Sequence, residues 1–308
     1  MLCLIIKKRT EPLELQLLKS NRARKKVPEK IENQIITLEK GFIGETMFDQ
    51  RMESLSLDSL TINDLLLETN STHYQIDSLL ISPPKIHIFE VKNFEGDYII
   101  KGDQWKSLSI GKEIRNPLLQ LSRSTSLLRQ LLQQLGSNLT VEGYLIFINP
   151  EFYLYEVPSN LPIVFQPQLN RFIRSLNAQP SKISNTHHTL AKKLLSLHIK
   201  KFPFSLLPKY SFNELKKGIL CGVCWNGFME VGNQHKLKCP NCNKWEDKET
   251  AIIRSIEEFE HLFPDMKITV SSIFEWCQVI KSKKTIRNIL SKRYKLIRFG
   301  RSSFYEKR

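Results

Sequence analysis

Hydrophobic and polar positions along this chain change period several times, and each change marks an element. Residues 39–55, EKGFIGETMFDQRMESL, carry Phe42, Ile43, Met47, Met52 and Leu55 at helical spacing. Two apolar runs follow, LTINDLLLE and YQIDSLLIS, separated by the turn pair Asn70-Ser71; they read as strands. Pro83-Pro84 breaks the chain, after which KIHIFEVKN alternates and is rich in Ile and Val, a third strand. GDYIIKGDQWKSL reads as short strands around Gly96 and Gly102. Asn116-Pro117 opens a long helix that Gly136 closes. TVEGYLIFINP is a strongly apolar strand stopped by Asn149-Pro150. Strands alternating with helices predict an α/β core.

Outside that stretch the pattern is looser. Residues 1–38 read as a helical lead-in interrupted by Pro12 and Pro28. Residues 151–215 mix Pro, Asn and Ser with helical fragments and read as an extension or connector. Residues 216–246 hold paired cysteines, and residues 251–308 read as two helices followed by two short β pieces. No internal repeat or low-complexity tract is present.

The chain has 308 residues, room for two or three domains, with 41% hydrophobic and 25% charged residues. No run of 18 apolar residues exists, and the opening Met-Leu-Cys-Leu-Ile-Ile is too short for a signal core. A cytoplasmic protein with no membrane association is therefore expected. The formal charge of +15 favours a polyanionic partner, nucleic acid first. Basic residues concentrate at 19–30 and, more heavily, from 281 to the end, where Glu306 is the only acid.

Six cysteines are present. Cys221-x2-Cys224 and Cys239-x2-Cys242 are separated by fourteen residues, a spacing that fits a four-thiolate zinc site built from two knuckle turns. The intervening WNGFMEVGNQHKLK reads as two short strands, a zinc ribbon. Four thiolates leave no open coordination position, so the Zn²⁺ is expected to be structural.

Glu90 and Lys92 stand two apart on one strand and share a face. Asp77 reaches the same point if the preceding strand pairs with theirs around Pro83-Pro84. Two carboxylates and a lysine so placed suit metal-assisted phosphodiester hydrolysis, in which a divalent cation activates water and a lysine neutralises developing charge. Spacing alone leaves a second reading open, a solvated strand end, because Asp-x12-Glu-x-Lys recurs by chance.

The surroundings add to this. GFIGE (41–45), QID (75–77), FEVKNFEG (89–96), Trp105 and NPLLQ (116–120) occur in one order. Together they resemble the nuclease-related domain, NERD, a branch of the PD-(D/E)xK nuclease superfamily, over about residues 39–150. The resemblance implies a restriction-endonuclease-like α/β fold, a mixed sheet flanked by helices. It also implies that Asp77, Glu90 and Glu45 hold Mg²⁺ (or Mn²⁺), that Lys92 is the catalytic lysine, and that Gln120 positions water or phosphate. Ile76-Asp77 stands where the superfamily's Pro-Asp signature would be, and Pro83-Pro84 replaces a Gly-containing turn.

In the tail, Ile273, Phe274, Trp276, Val279 and Ile280 line a first helix, and KTIRNILSKRY forms a second with its cations outward. This mostly helical module, 251–308, resembles a helix-turn-helix or winged-helix unit. Lys284, Arg287, Lys292, Arg293, Arg298 and Arg301 are its expected nucleic-acid contacts. The expectation is a Mg²⁺-dependent nuclease acting on DNA rather than RNA, targeted by the ribbon and the tail. An RNA-directed enzyme and an inactive DNA-binding protein on a nuclease fold are the alternatives.

Overall fold

The N-terminal residues are extended where a helical lead-in is expected: Cys3–Lys7 form strand β1. Leu4, Ile5 and Ile6 are an apolar, partly β-branched run, better suited to an edge strand than to a helix. The protein is described by a computed structural model over residues 3–102, 104–199, 210–300 and 303–307. Helices α1 (Leu13–Arg24) and α2 (Glu29–Met52) follow β1. Two compact units divide the chain, and not in linear order. Met1–Glu11 and Thr37–Phe204 form the first, Pro12–Ile36 and Ser205–Arg308 the second.

In the first unit, β2 (Ser59–Thr69), β3 (Thr72–Ser82) and β4 (Lys85–Lys92) make an antiparallel meander; Pro83-Pro84, joined by a cis peptide bond, turns β3 into β4. Next, β5 (Gly96–Lys101), β6 (Gln104–Ser107) and β7 (Glu113–Ile114) leave the main sheet. Helix α3 (Pro117–Gln134) then returns the chain so that β8 (Thr140–Phe147) runs parallel to β4 along its whole length. Both predicted ends of α3 are realised. The Asn116 side chain accepts the Leu118 N–H at 2.9 Å, and Gly136, at φ +70, lets Ser137 N–H return to the Leu132 carbonyl.

Strand β9 (Phe152–Tyr155) completes a four-stranded sheet ordered β7-β6-β5-β9, and β10 (Ile163–Phe165) completes the main sheet, ordered β1-β2-β3-β4-β8-β10. Residues expected to be a helical connector thus supply strands to both sheets before α4 (Leu169–Asn177) and α5 (Asn185–Ser196). The main sheet is mixed and covered on both faces. Ile86 and Ile88 pack with Leu121 and Leu128 of α3 and Leu190 of α5, whereas Phe89 and Val91 pack with Phe48 of α2 and Ile173 of α4. Such double coverage explains why its central strands read as nearly continuous apolar runs.

In the second unit, β11 (Glu230–Val231), β12 (Lys236–Lys238) and β13 (Trp245–Asp247) form an antiparallel ribbon. Helices α6 (Lys248–Leu262), α7 (Val270–Cys277) and α8 (Lys283–Arg293) follow, then the hairpin β14 (Tyr294–Ile297) and β15 (Phe304–Lys307). Ile268, between α6 and α7, bridges to Tyr305 of β15. The core gathers Phe259, Trp276 and Leu290 from these helices and Leu17 from α1. Arg24 of α1 is buried there. It pairs with Glu258 at 2.8 Å, lies 3.8 Å over the Trp276 ring, and donates to the Lys216 and Gly218 carbonyls. Among the described residues, no helix is long and apolar enough to cross a membrane.

Candidate nuclease centre and cysteine site

Strand alternation puts Glu90 and Lys92 on the face shared by Ile86 and Ile88, the side covered by α3. The Lys92 ammonium donates to Glu90 Oε1 at 2.6 Å and to Gln120 Oε1 at 3.2 Å, with Gln120 in the first turn of α3. Asp77 lies where the β3–β4 ladder ends. Ser78 still pairs with Phe89, but one residue on, Asp77 Oδ2 accepts the Val91 N–H at 2.8 Å. The β2–β3 ladder skips a pair at the same level, where Asp64 adopts a positive φ of 54. The sheet thus opens at Asp77 and exposes groups that regular pairing would consume.

Glu45 comes from α2, and Gly44 beside it is what lets that helix come close. A Cβ at Gly44 would lie 2.5 Å from Asn93 Cβ, just beyond β4. The Asn93 amide also donates to the Lys40 carbonyl at 2.8 Å, fastening the two elements. On the opposite side, a Cβ at Gly143 would meet Thr125 Oγ1 at 2.8 Å, so α3 lies equally close on β8. Of the five expected residues, Lys92, Glu90 and Gln120 are in contact, and Asp77 and Glu45 act on them through their charge; among the described residues the acids do not form a group whose ligand atoms lie together as a metal site.

Burial first, and the Asp77 charge second, push Glu45 and Glu90 each up to about 8. Asp77 is likewise raised by burial, opposed by Lys92 and the Val91 N–H. Lys92 rises despite its burial because Glu90 and Asp77 hold it charged. Crowded, desolvated carboxylates that resist ionisation make a place where added positive charge is favourable. Their donors are hard oxygens, which suits Mg²⁺ or Mn²⁺ rather than a soft metal.

The sequence reading missed several charged groups here. Arg9, just after β1, donates in a fork to Asp49 at 2.9 and 3.1 Å, to the Asp77 carbonyl at 2.7 Å, and to Glu45. Lys7 pairs with Asp64 at 3.2 Å. Arg115, exposed just before α3, acts on the Glu90 carboxylate through its charge. The one available signal was Asp49, four residues after Glu45 and so on the same helix face.

The four cysteines are closer still. Among the described residues, Cys221, Cys224, Cys239 and Cys242 are the only His, Cys, Asp or Glu set whose ligand atoms all lie within 4.8 Å of one another. Both knuckles have one geometry: Trp225 N–H returns to the Cys221 carbonyl and Asn243 N–H to the Cys239 carbonyl, with Trp225 and Asn243 at positive φ. Against the effect of burial, hydrogen bonds from Asn241 and the Asn226 backbone bring Cys224 down to about 6, toward the thiolate a metal requires. The four-thiolate set fits zinc.

In the tail, Lys284, Arg287, Lys292 and Arg293 are exposed on α8, and Arg298 is exposed beyond β14. Lys292 reaches Glu249 at 3.3 Å. Arg301 lies outside the described residues.

Residues 40–148 match the family model of the nuclease-related domain. That match covers about a third of the chain, and over it the chain is similar to the nuclease-related domain, NERD. No match was found among the curated proteins or among the solved structures. The NERD segment runs from α2 to the end of β8 and so contains all five expected residues, and the function it implies is nuclease-related.

Proposed function

We propose that the NERD unit is a metal-dependent nuclease that hydrolyses phosphodiester bonds in DNA. The observation that carries this reading is the Lys92–Glu90–Gln120 contact beside Asp77 at the opening of the sheet. Asp77, Glu90 and Glu45 would hold one divalent cation, which would lower the pKa of a water and polarise the phosphoryl oxygen. Lys92, held charged between Glu90 and Asp77, neutralises charge developing on the phosphate and orients the attacking water. Gln120 keeps the Lys92 ammonium aimed, and exposed Arg115 binds an incoming phosphate at the rim.

The second unit recruits nucleic acid. Its order of helix, isolated β-bridge at Ile268, two helices and hairpin supports a winged-helix reading, with α8 as the groove-facing helix and the β14–β15 hairpin as the wing. The zinc site holds the adjoining ribbon in shape.

The test is a cleavage assay with Mg²⁺ or Mn²⁺ on duplex, single-stranded and branched DNA and on RNA, beside Asp77→Ala and Lys92→Ala. Cleavage of DNA by the wild type alone supports the proposal. Preferential RNA cleavage redirects it to the other polymer. An inert wild type, or variants that cut equally well, sinks it.

A further inference from the structure

The outer face of the cysteine ribbon carries an aromatic side chain that the cysteine site does not use. Along β12, Leu237 turns inward and joins the core with Cys221, Cys239 and Ile252. Its neighbours Lys236 and Lys238 therefore share the opposite face. Lys238 pairs across the ribbon with Trp245 of β13 on one side and Glu230 of β11 on the other, so these three stand in one row on that face.

Gly232 of the same ribbon fixes the indole. A Cβ at position 232 would lie 2.4 Å from Trp245 Cζ3, with Cη2 and Cε3 at 3.0 and 3.1 Å, so the six-membered ring rests on bare backbone. Held along that edge, Trp245 is still 44% exposed. The ring is thus a fixed apolar surface presented to solvent, with the Lys238 ammonium 5.8 Å from its centroid. Charge around it is one-sided. Lys236 and Lys244 are exposed and Lys238 is half-buried, whereas the neighbouring acids are engaged elsewhere. Glu246 pairs with Arg254 at 2.7 Å, Asp247 accepts the Thr250 N–H to cap α6, and Glu249 meets Lys292 at 3.3 Å; Glu230 remains.

A fixed aromatic ring among lysines matches a nucleic acid strand whose bases are unstacked. Stacking on a side chain needs a free base face, which a duplex keeps inside its own stack, and the lysines follow the phosphates. We propose that the ribbon binds single-stranded DNA, with Trp245 stacked on an unpaired base and Lys236 and Lys238 on the flanking phosphates. The choice of DNA rests on the nuclease reading; the stacking rests on the ribbon geometry alone.

Fluorescence-anisotropy titrations of short labelled strands with the zinc-loaded full chain, without Mg²⁺ or Mn²⁺, test this apart from cleavage. Oligothymidylate should bind roughly 5- to 100-fold more tightly than an abasic strand of equal length. Trp245→Ala should erase that difference and leave abasic and duplex binding unchanged, and Trp245→Phe, which keeps a ring, should retain most of it. Lys236→Gln with Lys238→Gln should weaken both strands alike, because both carry phosphates. Equal binding of the two strands by the wild type overturns the proposal, whether or not the Trp245 variants fold. So does an undiminished preference in zinc-replete Trp245→Ala, or a loss on duplex as large as on oligothymidylate. A larger loss on oligouridylate than on oligothymidylate overturns the choice of DNA. A chain that shows the base preference but never cleaves sinks the nuclease reading and leaves the stacking intact; a chain that cleaves without the preference does the reverse.

Discussion

Asp77 and Val91 are joined where the β3–β4 ladder stops: the Asp77 carboxylate accepts the Val91 N–H at 2.8 Å, in place of a neighbouring strand's carbonyl. One carboxyl oxygen thus holds the opening of the sheet in shape while the other is left for chemistry. Asp77→Ala removes both functions, so cleavage should be lost and the melting temperature should change as well. Asp77→Asn retains an acceptor for Val91 and should separate the two effects, remaining folded while failing to cleave. Circular dichroism melts beside the cleavage assay check this.

Gly44 sets how closely α2 approaches β4. An alanine there would place its Cβ 2.5 Å from Asn93 Cβ, so the helix must retreat and carry Glu45 with it. A displacement on the order of 1 Å at a reacting centre costs about 100-fold in rate. Gly44→Ala should therefore cut cleavage by about that factor, with a smaller loss from Gly41→Ala, where a Cβ meets nothing within 4 Å. Equal effects of the two substitutions would show that close approach is not what matters.

The acids also predict a pH dependence of stability. Glu45 and Glu90 are raised from 4.5 to about 8, by burial first and Asp77 second. Between those values the folded chain binds more protons than the unfolded one. The stability contribution is thus complete at low pH and is lost as pH rises through the folded value. Without added divalent ion, the melting temperature should fall between about pH 4.5 and about pH 8, and saturating Mg²⁺ should flatten that fall. An unchanged profile with Mg²⁺ would count against a metal at these carboxylates.

The Arg24–Glu258 pair ties α1 to α6 inside the second unit. Removing one member of a buried pair leaves an uncompensated charge and costs about 3–5 kcal/mol. Arg24→Ala should lower the unfolding free energy in urea by about that amount. By the same logic, a fragment holding residues 205–308 without residues 12–36 should not fold cooperatively.

With zinc at the four cysteines as proposed, Cys224→Ser should release it. Zinc content measured by atomic absorption should drop from one per chain to near zero, with loss of ordered ribbon signals in NMR. In the tail, Arg287→Ala should weaken DNA binding and reduce the slope of log affinity against log salt by about one unit per lost phosphate contact. Salt-independent binding would rule out a phosphate contact at Arg287.

The local groupings at both candidate sites were legible in the sequence because they lie close along the chain. Glu90 and Lys92 share a strand face, Cys221/Cys224 and Cys239/Cys242 each sit in a knuckle, and Asn116 to Gly136 spells out both ends of α3. The strand run from β2 to β4 was equally plain, since every change of period there is set by side-chain alternation. The order of motifs around Asp77 and Glu90 then gave the mixed sheet and its flanking helices.

Long-range pairing decided the rest. Nothing in residues 1–38 states that β1 joins the sheet beside β2 and carries Lys7 and Arg9 to the carboxylates. Nor does it state that α1 contributes Leu17 and Arg24 to a core built mainly by residues beyond 205. An edge strand is short and half exposed, so its pattern is weak, and a buried arginine looks in sequence like a surface one. Which acids lie near which cations depends on where Gly44 and Gly143 let helices press on strands. That packing distance is a property of the folded protein, and no spacing along the chain encodes it.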